Sequence, residues 1–183
     1  MTEPGSRPGV GTRIAVADAG PLIHLDELAC LNLLTDFIEV RVPESVWREV
    51  EHHRPQALLV AGIPWIRCSA RTSEKVAAVG MLYTLHPGER EALSLCVDTP
   101  GVLLLTDDTA ARLAARTLAI DAHGTLGLLV RAIRRQQMTK IEVMDRLREI
   151  PLRTSLHIRP ALLAEVIAQV AKSDEPKPIG PGP

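Results

Sequence analysis

The chain has 183 residues, 46% of them hydrophobic and 23% charged, which is enough to bury a sizeable core in one domain. Only 2% are aromatic, so the core must be built from Leu, Val, Ile and Ala, and aromatic stacking is not the main way of gripping bases. A formal net charge of −1 provides no whole-molecule field to attract nucleic acid or anionic membrane, which leaves only a local basic patch for that purpose.

Cys30, Cys68 and Cys96 are scattered and odd in number, with no C-x-x-C pair. That excludes a disulfide framework and a zinc ribbon and fits a reducing cytosol. No apolar run approaches the roughly 18–20 residues of a membrane span, and the N-terminus lacks the charged-then-apolar pattern of a secretory signal. A soluble, cytoplasmic protein is expected.

Residues 1–12 hold three glycines and two prolines and no apolar pattern, which reads as a flexible lead-in. A short strand, Arg13 to Ala17, ends at Asp18. Pro21, favourable at a first helical position, opens a helix whose apolar spacing continues through Leu28, Leu31 and Leu34 as far as Phe37. Glu39 to Val42 alternates as a strand, and Pro43 opens a helix carrying Val46, Trp47 and Val50 on one face. The run Glu51 to Pro55 ends it. Residues 64–70 read as an extra edge strand and residues 73–84 as a weak helix.

Pro87-Gly88 leads into a helix through Cys96. After the turn pair Pro100-Gly101, Val102 to Leu105 form a short buried strand that runs directly into Thr106-Asp107-Asp108 and an Ala/Leu/Arg-rich helix. Leu118 to Ile120 reads as another strand. Gly124-Thr125-Leu126-Gly127 opens an apolar helix ending in Arg131, Arg134 and Arg135, and two more helices are expected over 139–150 and 160–172. A domain over 13–172 is thus expected, with a disordered Pro/Gly-rich tail over 173–183. Strands alternating with helices imply a parallel sheet flanked by helices, an α/β domain.

Acidic residues stand where such a sheet binds ligands. Asp18 and Asp108 follow strands whose carboxyl ends share one edge, so the two can converge there. Glu49 lies on a helix face and Glu89 in a first helical turn near the same edge. Each has an ordinary reading by itself: an Asx turn for Asp18, a solvated position for Glu49, a helix-dipole partner for Glu89, a cap for Asp107 or Asp108. A cap needs only one residue, so the Asp107-Asp108 doublet leaves a carboxylate over. Together the acids make a hard oxygen site suited to Mg²⁺ or Mn²⁺ rather than zinc, able to hold a phosphodiester and activate water. No G-x-x-x-x-G-K-[ST] occurs, which argues against a nucleoside triphosphatase. The histidines show no ligand spacing and read as structural or surface residues.

On these residues the chain resembles the PIN-domain family of metal-dependent ribonucleases, which includes the toxins of VapC-type toxin–antitoxin pairs, and more closely a less characterised branch of it. The resemblance covers roughly Ile14 to Leu163. It is carried by V-A-D-A-G-P-L-I (Asp18), V-P-E-S-V-W-R-E-V (Glu49), H-P-G-E-R-E-A-L-S-L (Glu89, with Glu91 as its rival) and L-L-T-D-D-T-A-A-R (Asp108). Glu44 falls too early and reads as a first-turn helix residue. The G-T-L-G segment also matches the branch. Two departures stand out: a longer lead-in, and Glu for Asp at the third acid, which lengthens one ligand.

The resemblance implies a PIN-like three-layer sandwich with a central, mostly parallel sheet flanked by helices. It implies hydrolysis of RNA by a metal-activated water, leaving a 5′-phosphate. Asp18, Glu49, Glu89 and Asp108 would be the catalytic acids, joined by Asp107 in holding Mg²⁺ (or Mn²⁺). Thr106, Arg112 and Thr125 would contact substrate. RNA, a cognate antitoxin protein and a second copy in a homodimer are the implied partners. The basic group Arg131, Arg134, Arg135 and Lys140 is a candidate track for an RNA backbone, or else a solvated helix end. Two other readings compete: the same fold as a catalytically weak nucleic-acid- or protein-binding module, and a phosphatase with Asp18 as nucleophile. The second would favour D-x-D, and Ala19-Gly20 follow instead.

Overall fold

In the computed structural model, residues 13–173 are described; the expected lead-in and all of the expected tail except Ser173 lie outside them. Five strands, β1 (Ile14–Ala17), β2 (Glu39–Pro43), β3 (Trp65–Cys68), β4 (Leu103–Leu105) and β5 (Asp121–His123), form one sheet in the order β3-β2-β1-β4-β5. Every pairing is parallel. The helices are α1 (Ala19–Glu27), α2 (Glu44–His53), α3 (Glu74–Val79), α4 (Pro87–Asp98), α5 (Thr109–Thr117), α6 (Thr125–Arg134), α7 (Lys140–Arg153) and α8 (Pro160–Lys172).

The short central strands are apolar on both faces because both faces are covered, as parallel sheets require. Ala15 and Ala17 of β1, with Leu103 and Leu105 of β4, point into a core shared with α1, α2, α6 and α7. Val16 and Leu104, on the alternate face, join a second core with α3, α4 and α5. The result is the expected three-layer α/β sandwich. From β1 the chain proceeds outward to β2 and β3 on one side, then returns to place β4 and β5 on the other. The order of strands therefore reverses between β1 and β4, and the crevice at their carboxyl ends is where such sheets take ligands. Asp18 N–H donates to the Leu105 carbonyl at 2.9 Å and closes the two strand ends together.

Three helices share one kind of ending, and at α1 it departs from expectation. α1 stops at Glu27 rather than running to Phe37, and a 3₁₀ segment, Leu31–Asp36, follows. Ala29 adopts a left-handed backbone (φ 54°), and Cys30 N–H bonds back to the Leu25 carbonyl at 2.7 Å, a Schellman-type ending. α5 ends in the same way at Ala119 (φ 55°), with Ile120 N–H on the Ala115 carbonyl, and α6 at Gln136 (φ 56°), with Gln137 N–H on the Ala132 carbonyl. Glycine usually marks this conformation, and none of the three positions is glycine. The expected strand Leu118 to Ile120 is consumed by the α5 ending, so β5 starts only at Asp121. The weak helix expected over 73–84 is limited to Glu74–Val79.

Candidate active site

Asp18 owes its position to the end of β1. It caps α1, Oδ1 accepting from Ala19 N–H at 2.9 Å, while Oδ2 accepts from the Thr106 hydroxyl at 2.9 Å. Burial pushes its carboxyl up to about 6; the Thr106 and Ala19 hydrogen bonds oppose that, and the nearby Glu49 and Asp108 carboxylates add to it.

The segment after β4 supplies three side chains with different tasks. Thr106 is fully buried, and its Oγ1 also accepts the Asp108 N–H at 3.2 Å. A hydroxyl so enclosed does not reach a substrate; Thr106 holds two acids in relation. Asp108 is the cap of α5, with Oδ1 accepting Ala111 N–H at 2.7 Å. Asp107 is the carboxylate left over, and it is heavily engaged. Its Oδ1 accepts Thr125 N–H at 2.7 Å, and its Oδ2 accepts the Thr125 hydroxyl at 2.6 Å and pairs with His24 Nδ1 at 2.8 Å. Thr125, likewise fully buried, anchors Asp107 rather than touching substrate. Both hydroxyls, expected to meet substrate, are bonded to carboxylates of the chain itself.

Gly124 makes this arrangement possible. A Cβ there would lie 2.5 Å from Asp107 Oδ1 and 3.2 Å from both the Thr106 carbonyl and Arg112 Nη1. Only glycine lets Asp107, the β4 end and the Arg112 guanidinium crowd one point of backbone.

The other acids arrive on helices. Glu89, buried in the first turn of α4, accepts His86 N–H at 2.7 Å. Burial raises its carboxyl to about 7, helped by the charges of Asp108 and Asp18 and opposed by the His86 N–H. Glu49 is exposed on α2 and faces the same cleft. Glu91 is engaged elsewhere, accepting both N–H and hydroxyl of Ser45 at the start of α2. Glu44 pairs with Arg67 and Arg48.

Asp18, Glu49, Glu89, Asp107 and Asp108 all line one cleft of about 870 Å³, with Ser45, His24, His86 and His157 around them. Histidines at this rim, and the His24–Asp107 bond in particular, were not readable from spacing because they join residues 83 apart. Among the described residues no three acidic, histidine or cysteine side chains form a ready-made metal cage. Mg²⁺ needs none, since it usually keeps several waters and takes one or two carboxylates plus substrate oxygens. An all-oxygen donor set in which burial and neighbouring carboxylates hold two carboxyls well above their ordinary values fits a divalent cation, whose charge would reverse that shift.

Of the basic group at the end of α6, read as an RNA track or a solvated helix end, only Arg134 is exposed and without an ion pair among the described residues. Arg131 and Arg135 both pair with Asp36, at 2.5 and 2.7 Å, and Arg131 lies over the Phe37 ring. Lys140 Nζ donates to the Ser173 carbonyl. Arg131, Arg135 and Lys140 are thus engaged in internal ties.

A parallel sheet whose switch-point crevice is lined by carboxylates from several elements is a nuclease-like α/β arrangement. A family model for the PIN domain matches residues 14–172, which include α8, and the chain belongs to the PIN-domain family. PIN domains are generally nucleases, which points to a hydrolase of that broad kind with a nucleic-acid substrate. No curated protein matches the chain. Among the described residues no helix is long and apolar enough to cross a membrane.

Proposed function

We propose that this protein is a Mg²⁺- or Mn²⁺-dependent endoribonuclease, the toxin of a toxin–antitoxin pair, working as a homodimer in the cytoplasm. The observation that supports this most directly is the gathering of Asp18, Glu49, Glu89 and Asp108 from four separate elements into one cleft at the sheet's switch point. Asp18 and Asp108, with Glu89 and Glu49, would hold the cation, joined by Asp107, whose carboxylate is also bonded to Thr125 and His24. The bound cation would supply Lewis-acid polarisation of the phosphodiester and a lowered pKa for an attacking water.

The chain's own residues do the positioning. Thr106 fixes the Asp18 carboxylate against the Asp108 backbone. With the cation bound, one of these carboxylates would orient the attacking water and take up its proton. Arg112, exposed beside Gly124, would meet a phosphate oxygen of the substrate.

The test is cleavage of a mixed single-stranded RNA by purified protein with Mg²⁺, Mn²⁺ or EDTA, beside an Asp18→Asn, Asp108→Asn double variant. Metal-dependent cleavage that vanishes in the variant supports the nuclease. Metal-independent cleavage, or none at all, sinks it. Growth arrest on expression, relieved by a small neighbouring protein, tests the toxin reading. A second reading, a binding module with weak catalysis, draws on the near-zero net charge and on Glu89 in place of an aspartate. It predicts RNA binding without cleavage.

A further inference from the structure

Beside the acidic cleft lies a second groove of about 950 Å³, between α5, β5 and the start of α8. The two share Asp107, Thr109, Leu156 and His157, so one opens into the other. The second groove carries Arg112, Arg116 and Arg159, all exposed. Most arginines of this chain are tied to carboxylates, but none of these three has a carboxylate partner among the described residues. The groove's own acids are engaged: Asp121 pairs with Arg13 at 2.6 Å and Asp107 with His24 and Thr125. Arg112 lies near Asp107 across Gly124, and Arg116 and Arg159 remain without a carboxylate partner in a chain whose net charge is near zero.

Their placement is directional. Arg112 and Arg116 are four residues apart on α5 and so share a helix face, about 6 Å apart along its axis. Arg112 lies beside Gly124 and Asp107, Arg116 is one turn farther along α5, and Arg159, the residue before α8, lines the same groove. Between them, Leu113 and Leu162 stay 44% and 40% exposed, a surface that base faces can cover. An acidic cleft that binds metal repels phosphates on either side of the scissile one, so a strand leaving it needs cationic support.

We propose that this groove carries the single-stranded RNA away from the acidic cleft, with Arg116 and Arg159 contacting backbone phosphates that do not react. This rests on the nuclease reading for its substrate, but it predicts binding that does not depend on catalysis.

The experiment measures anisotropy of a labelled, mixed-sequence single-stranded RNA on the full chain in EDTA, across a salt series. It compares an Arg116→Gln, Arg159→Gln variant with an Arg71→Gln control, which removes an exposed arginine outside the groove. The expected result is about tenfold weaker binding by the double variant. Its log K against log salt slope should fall by roughly 1.4, about 0.7 per lost phosphate contact. The control should match the unmodified chain, and an Arg116→Lys, Arg159→Lys variant should recover most of the affinity. Hydrolysis of bis(p-nitrophenyl) phosphate with Mn²⁺ should be unchanged in the Gln variant, since that diester is too small to reach the groove. Equal affinity and equal slope in the double variant and the unmodified chain overturn the proposal. So does poly-glutamate competing as well as RNA, which would assign the groove to an acidic protein segment. RNA binding lost in the double variant, with no diester cleaved by any form, would keep the groove and reject the nuclease.

Discussion

The Thr106 hydroxyl donates to Asp18 Oδ2 at 2.9 Å and accepts the Asp108 N–H at 3.2 Å, linking two acids that lie 90 residues apart by one buried atom. Thr106→Val keeps the shape and removes that link. Asp18 then loses the strongest of the interactions that favour its charged form, so its carboxyl rises further and cation affinity falls. Roughly tenfold or greater loss of metal-dependent cleavage is expected, with Thr106→Ser close to the unmodified chain. Calorimetric Mn²⁺ titration of both variants checks it; unchanged affinity in Thr106→Val would refute the link.

Stability without metal should fall as pH rises. Asp18 and Glu89 have folded values of about 6 and about 7, above the ordinary 3.8 and 4.5, so between those limits the folded chain binds more protons than the unfolded one. Their contribution is fully present below about pH 4 and is lost as pH climbs through about 7. Thermal melts in EDTA should show this decline, and Mn²⁺ should reverse it with release of protons. Asp18→Asn should flatten the decline and melt higher than the unmodified chain at alkaline pH. A metal-free melting temperature that rises over the same interval would contradict this.

Gly124→Ala tests a steric demand rather than a conformational one, because Gly124 has an ordinary extended backbone (φ −95°). The new methyl would stand 2.5 Å from Asp107 Oδ1 and 3.2 Å from the Thr106 carbonyl. A loss of about 1–3 kcal/mol in stability is expected, from forced movement in a packed region. Metal-dependent cleavage should drop more than stability alone explains. Denaturant unfolding beside activity measured well below the transition separates the two effects.

Asp36 is 8% exposed at its side chain and faces both Arg131 and Arg135. Asp36→Ala would leave two guanidinium groups without their counter-charge. A melting temperature lower by roughly 6–12 °C is expected, from about 3 kcal/mol for a broken, mostly buried pair. RNA affinity of the folded protein should not change. An unchanged melting temperature with weakened RNA binding would return these arginines to the substrate.

Much of the site was readable because its acids follow recognisable junctions. A strand ending in Asp18, and Leu103 to Leu105 ending in Thr-Asp-Asp, announce the carboxyl edge of a sheet by local pattern alone. The division of labour within Asp107-Asp108 was not readable. The cap fell to Asp108, while Asp107 was taken by His24 and Thr125, and both partners are distant in sequence. Thr106 and Thr125 were expected to contact substrate, and the fold buries both hydroxyls against acids.

The α/β class, the parallel pairing and the positions of Asp18, Glu49, Glu89 and Asp108 along the chain were determined by sequence, since apolar period and strand-end chemistry are local properties. The helix ends at Ala29, Ala119 and Gln136 were decided by tertiary packing, which holds non-glycine residues in a left-handed backbone that no local signal announces. The fate of the basic residues was decided the same way. Arg131 and Arg135 looked available and are bound to Asp36, whereas Arg116 and Arg159, unremarkable in sequence, line one groove. Whether a charge is free depends on which opposite charge the fold brings beside it, and that is a property of three dimensions alone.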